Sequence, residues 1–204
     1  LYPSYGDTWP TFNGSVGMTY EQAGHGMAGR AIKMYNGKNL TIKDRIDHHT
    51  TTSLSTVETA SENNPELIEN YKKYFSQSIN QPIGEYQAYV VKQGQLLDEF
   101  AALLKENGIE YAYVDESKKV TAYSYANTEN NTVELNAGDL FIQTNQAKST
   151  LLKVLMEEQA ILADSLTYDI TSWSIPFAYG LDCYAFKSSP TIKSTQEKEN
   201  KTYS

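Results

Sequence analysis

Three groups of residues in this chain could do chemistry. Glu21 closes the short, mostly apolar run Gly17-Met18-Thr19-Tyr20-Glu21, and Gly24 follows it closely. A carboxylate that leaves a buried strand for a glycine-rich loop has low-dielectric walls behind it and open space in front, which suits a general base. The same pattern also serves a strand-end glutamate that caps a loop or pairs with Lys or Arg. His25, His48 and His49 are the three histidines, and a metal site would need at least two of them plus carboxylates. His48 and His49 are adjacent and project about 100° apart on a helix, so they do not converge on one ion. Asp44 and His48 can face the same way, as ligands or as capping and solvated side chains. Cys183, in Gly180-Leu181-Asp182-Cys183-Tyr184, sits in a strand-like run with no base or exposed turn beside it, and reads as a small buried hydrophobe. No phosphate loop, dinucleotide glycine fingerprint or Gly-x-Ser-x-Gly elbow occurs.

The chain that must position these groups has 204 residues, 40% of them hydrophobic and 21% charged, enough for a core in one large domain or a medium domain with an appendage. A net charge of −8 argues against a nucleic-acid partner, because that affinity comes from Lys and Arg displacing counterions. No stretch reaches the roughly 18 apolar residues of a membrane span, so none is expected. The single cysteine excludes an internal disulfide and a Cys-rich metal knuckle. No charged and apolar leader opens the chain, so any targeting signal is expected upstream or already removed. The 16 tyrosines suit half-buried strands as amphipathic filler, or a groove that holds sugar or peptide.

Residues 1–37 are rich in Gly, Pro and aromatics, which predicts loops around one short strand at Val16–Glu21. From Thr41 the spacing turns helical, with Ile42, Ile46, His49, Val57 and Ala60 on one stripe. A second helix is expected from an N-cap at Asn64, with Pro65 in its first turn and Leu67, Ile68, Tyr71, Phe75 and Ile79 on its apolar face. After Pro82 the pattern becomes α/β: a strand at 86–91, a helix at 95–107 ended by Gly108, and a strand at 109–114, together suggesting a right-handed parallel crossover. Short strands follow at 120–125, 133–135 and 140–142, then a helix at 147–158, an apolar stretch at 168–177 and a last strand at 181–186. The remainder, 188–204, has almost no apolar residues and reads as a disordered, solvated tail.

Tyr2-Pro3-x-Tyr5-Gly6-x-x-Trp9-Pro10 with Gly14-x-x-Gly17-Met18-x-Tyr20-Glu21-Gln22 resembles the segment that carries the catalytic glutamate in a bacterial branch of the M14 zinc carboxypeptidases. Asp44-Arg45-Ile46-x-x-His49 with Ser53-Leu54-x-Thr56-x-Glu58, and Tyr168-Asp169-Ile170-Thr171-x-Trp173-x-x-Pro176-x-Ala178-x-Gly180, are similar to later stretches of the same proteins, so the likeness touches both ends of the chain. The resemblance implies a hydrolase in which zinc polarises the scissile carbonyl of a peptide or protein substrate and a glutamate, here Glu21, moves the water's proton to the leaving amine. It also implies an extracytoplasmic, periplasmic or secreted, location.

The family's His-x-x-Glu zinc pair is absent: His25, His48 and His49 are followed three residues later by Ala28, Thr51 and Thr52. The expectation is therefore an α/β chain forming the C-terminal portion of such an enzyme. Residues 1–80 would supply the last strand and helices of the peptidase domain, and 83–187 an appended domain resembling class I glutamine amidotransferases. Zinc and its ligands would lie in the upstream half of the full-length protein, none in this portion, which alone would be inactive. The family's substrate-binding Tyr and Arg match no motif here, although Tyr2, Tyr5 and Arg30 lie near Glu21. No Gly-x-Cys-x-Gly elbow supports amidotransferase activity. The alternative is a non-catalytic scaffold or binding module for peptide or glycan, built on residues 83–187.

Overall fold

The computed structural model describes residues 5–21, 30–81, 83–159 and 174–196. These form a mixed α/β structure in two unequal parts. The first opens with a short helix, α1 (Thr8–Phe12), followed by residues 16–21, which lie outside any helix or strand; the expected strand there is not formed. Glycine explains the departure. A side chain at Gly17 would place its Cβ 1.7 Å from the Asp7 carbonyl oxygen, so the segment folds back onto α1 and does not extend along a neighbouring strand.

The strands of this part lie further on, as the hairpin β1 (Ala31–Lys33) and β2 (Asn39–Thr41), registered Ala31 to Thr41 and Lys33 to Asn39. Thr41 then caps α2 (Ile42–Glu62) through a reciprocal box: its hydroxyl accepts from the Asp44 N–H at 3.2 Å while its own N–H donates to Asp44 Oδ2 at 2.8 Å. Asn63 separates α2 from α3 (Asn64–Asn80), so the N-cap lies one residue earlier than the spacing suggests and Pro65 remains in the first turn. The apolar stripes of the two helices do not close on a core. Among the described residues before 83, Ser78 alone is buried, and Ile46, Leu54 and Val57 are more than half exposed.

The second part holds the core. Its strands are β3 (Ala88–Val91), β4 (Ala112–Val114), β5 (Lys118–Ser124), β6 (Glu129–Leu135), β7 (Leu140–Gln143), β8 (Cys183–Phe186) and β9 (Ser194–Gln196). Its helices are α4 (Leu97–Glu106), α5 (Ser149–Met156) and the single turn α6 (Ile175–Ala178). The strand order is β6-β5-β8-β3-β7-β4-β9, with antiparallel pairing throughout. β3 and β4, joined by α4, do run in the same direction, but they are not neighbours as the crossover suggests. β7 lies between them and pairs antiparallel to both, giving each the straight hydrogen bonds of an antiparallel ladder.

β3 alternates between two cores. Tyr89 and Val91 join Phe100 and Leu104 of α4 and Leu151, Leu152 and Leu155 of α5, while Ala88 and Val90 join Val114, Leu135, Phe141 and Phe186 on the other face. A strand buried on both faces needs a continuous apolar run, and Ala-Tyr-Val-Val supplies one. At the sheet edge, β9 pairs with β4. Residues 194–196 therefore leave the solvated tail assigned to 188–204: an edge strand is held by backbone hydrogen bonds and needs no apolar side chains. Residues 197–204 lie outside the described residues, as do Tyr2, His25, Leu162 and most of 168–177.

The two parts meet at α1. Phe12 packs on the core, its carbonyl accepts from the Tyr74 hydroxyl of α3 at 2.7 Å, and Asn13 Oδ1 accepts from Lys148 Nζ at 2.6 Å.

One buried ion pair ties the turns of the sheet. Asp139, fully buried after the β6–β7 turn, accepts from the Asn136 N–H at 2.7 Å, from the Gln93 N–H at 3.1 Å and from the Lys92 ammonium, which also donates to the Glu134 carbonyl. Removing one partner of such a pair strands the other charge and two backbone donors. Asp139→Ala is expected to lower the unfolding free energy by about 3 to 5 kcal/mol in urea titration; a loss below about 1 kcal/mol would mean that the pair does not hold the turn.

Candidate functional site

Glu21 stands at the end of the segment that Gly17 folds against α1. Thr19 Oγ1 donates to Asp7 Oδ2 at 3.0 Å, and the Tyr20 hydroxyl lies 2.7 Å from Thr56 Oγ1 of α2. Thr56 spends its one hydroxyl proton on the Thr52 carbonyl at 2.8 Å, so Tyr20 is the donor in that contact. The residue before Glu21 is thus fixed to α2, and the one before that to α1. Glu21 itself is exposed, with no hydrogen-bond or ion-pair partner among the described residues. Among the described residues Glu21 neither caps a loop nor meets a Lys or Arg.

The histidines do not gather. His48 and His49 are exposed on α2, and Asp44 spends its carboxylate on the Thr41 cap, whose hydrogen bonds hold it below the ordinary carboxylate range. Among the described residues no group of three His, Cys, Asp or Glu side chains could hold a metal ion. No described helix is long and apolar enough to cross a membrane. Arg30 is exposed at the start of the β1–β2 hairpin, and Tyr5 lies before α1.

Cys183 is 2% exposed in β8, and burial, with the nearby Glu158 carboxylate, pushes its thiol well up from 9.0. It is a packing residue, as its strand-like setting suggests, and no nucleophile.

Sequence reasoning did not find a tyrosine cluster beside Cys183. Tyr86 and Tyr123 stack at 5.8 Å, Tyr86 meets Tyr89 edge-on at 6.0 Å, and Tyr123 meets Tyr125 at 6.2 Å. The abundance of tyrosine hinted at such a groove but not at its members, which come from β3, β5 and the residues on either side of them. Tyr86, Tyr89 and Tyr125 wall a cavity of about 280 Å³ together with Glu157, Glu158 and Lys153. A second cavity, of about 390 Å³, lies beside β4 and β9, where the Gln146 amide pairs with both backbone groups of Glu110 at 2.8 and 3.0 Å. That pairing mimics a strand just before β4 begins.

Comparisons with protein-family models, curated proteins and solved structures return no match to this chain.

Burial raises the phenols of Tyr89 and Tyr125 far above 10.0, and both are neutral in the fold. Groups whose folded values are raised contribute stability below their unfolded values and lose it as pH rises through them toward the folded ones. The melting temperature is therefore expected to hold up to about pH 9 and to fall steeply by about pH 11, with tyrosinate absorbance rising in step with unfolding. A flat melting temperature across that range would contradict this.

Proposed function

We propose that this chain is the C-terminal portion of a zinc-dependent metallocarboxypeptidase, with Glu21 as the general base of peptide hydrolysis. The observation that carries the reading is the asymmetry of burial. Residues 5–80 present Glu21 on a tied segment, and beside it two long helices on which Ile46, Leu54, Val57, Ile68, Tyr71 and Ile79 stand about half exposed or more, while the core belongs to residues 83–186. A helix pair takes most of its stability from packing its apolar face. This one is made to lie against another body, and the zinc-binding half of the same protein, upstream of these residues, is the body proposed.

The described residues do not fit a zinc ion, and no step through the metal is assigned to them. What they supply is the base. An exposed carboxylate with no ion-pair partner among the described residues, on a segment pinned by Tyr20 and Thr19, can take a proton from water and return it to a leaving amine.

The second part is read as a non-catalytic packing domain. The resemblance to class I glutamine amidotransferases has no nucleophile behind it, since Cys183 is buried and neutral. The extracytoplasmic location rests on the family resemblance alone.

The test is made on the full-length, zinc-loaded protein with a mixed peptide library. Glu21→Gln is expected to lower turnover by about 10² to 10⁴ while zinc content stays unchanged. Equal turnover by the variant would remove Glu21 from the reaction, and no cleavage by the wild-type protein would leave the scaffold reading in its place.

A further inference from the structure

The tyrosine-walled cavity carries an inference independent of Glu21. Tyr89 is 3% exposed, its ring lines the cavity, and its hydroxyl has no hydrogen-bond partner among the described residues. The neighbouring Tyr125 hydroxyl is spent on the Met156 carbonyl at 2.5 Å, and the Tyr123 phenol is raised by Glu158. The Tyr89 hydroxyl is not one of the fully buried unpartnered side-chain atoms among the described residues, so it reaches the open space of the cleft while its ring is packed. The Tyr89 hydroxyl is the open valence of this cleft.

The charge around it selects the ligand. Glu157 and Glu158 lie just past the end of α5, and Lys187 holds Glu85. Burial raises the phenols of Tyr86, Tyr89 and Tyr125 and the Cys183 thiol, with Glu85 and Glu158 adding to it at Tyr86, Glu157 at Tyr89 and Glu158 at Tyr125 and Cys183, while at Tyr123 Glu158 leads and takes the phenol to about 12. The cleft is thus electronegative, and an anion would be repelled. Lys153 is its one lining cation, and its aliphatic stem runs along Gly84, where a Cβ would meet Cε at 3.1 Å, so it contributes wall as well as charge. Aromatic rings with carboxylates at hand are the usual surroundings of an organic cation. A neutral sugar would draw nothing from the field. The volume, about 280 Å³, lies just under the range of small-molecule sites and matches one side chain or a small amine.

We infer that this cleft binds an organic cation on an apolar stem, a free alkylamine or a single basic side chain, with the cationic head between the Tyr89 hydroxyl and the Glu157 and Glu158 carboxylates and the stem against the tyrosine rings. The hydroxyl accepts from the cation's N–H, the carboxylates balance its charge, and the rings of Tyr86 and Tyr125 exclude water from the stem.

Calorimetric titration of the 204-residue chain with n-butylammonium, N-acetyl-lysine amide, its neutral counterpart N-acetyl-norleucine amide and maltose tests this. The cations are expected to bind at least about tenfold more tightly than the norleucine compound, and Glu158→Gln and Tyr89→Phe each to weaken them by about 3- to 30-fold. Tyr89→Phe should keep or raise the melting temperature, because it removes an unpaired hydroxyl, whereas a purely structural hydroxyl would lower it. Tighter binding of the lysine amide than of butylammonium assigns the site to peptide side chains, and the reverse order to free amines; both uphold the inference. Equal affinity for the norleucine compound, binding of maltose alone, or no binding at all would overturn it. Glu21→Gln should leave amine affinity unchanged, so failure here and failure of the peptidase reading are separable.

Discussion

Apolar surface on α2 and α3 left about half exposed or more among the described residues is the constraint that governs the rest of this molecule. Ile46, Leu54, Val57, Ile68 and Tyr71 stand about half exposed or more along helices of 21 and 17 residues. Each such side chain forgoes about half or somewhat more of the roughly 1.5 to 3 kcal/mol that full burial supplies. Capping supports the start of α2 through Thr41 and Asp44, yet a cap is worth only about 1 kcal/mol and cannot replace a core. The first part is instead tethered to the second through Phe12, the Asn13–Lys148 bond and the contact of α3 with α5, while Ile46, Leu54 and Val57 of α2 stay more than half exposed.

That division of labour explains the placement of the chemistry. Glu21 sits on the part without a core, on a segment whose shape is set by Gly17 and whose position is set by Tyr20 and Thr19. A carboxylate so placed is defined in position but not in environment, and the environment would come from whatever covers α2 and α3. The tyrosine cleft sits on the part with a core: its rings are fixed by the packing of β3 and β5, and its carboxylates lie among the residues after α5. Two candidate sites with different dependencies thus share one chain.

The second part was largely legible in the sequence because its periods are unmixed. Leu97, Phe100, Ala101 and Leu104 recur at helical spacing and are all buried, and the runs at 120–125, 133–135 and 140–142 all become strands. Strand order was not legible. The insertion of β7 between β3 and β4 is a pairing of distant segments and leaves no local period, and β9 pairs through its backbone, so Ser194-Thr195-Gln196 carries no apolar signal. The stripes on α2 and α3 were read correctly as apolar faces, but a stripe does not say whether its partner lies in the same chain segment. The cleft was hidden for a similar reason: Tyr86, Tyr89, Tyr125 and Glu158 come from three separate stretches.

Amide hydrogen exchange over residues 42–80 tests the central claim most directly, measured in this chain alone and in the full-length protein that includes the proposed zinc-binding half. Exposed helices without a core open at almost no cost, so near-zero protection is expected in the chain alone and strong protection in the longer protein. Equal protection in both would contradict the account, because the apolar stripes would then have no partner upstream and Glu21 no body to complete its site.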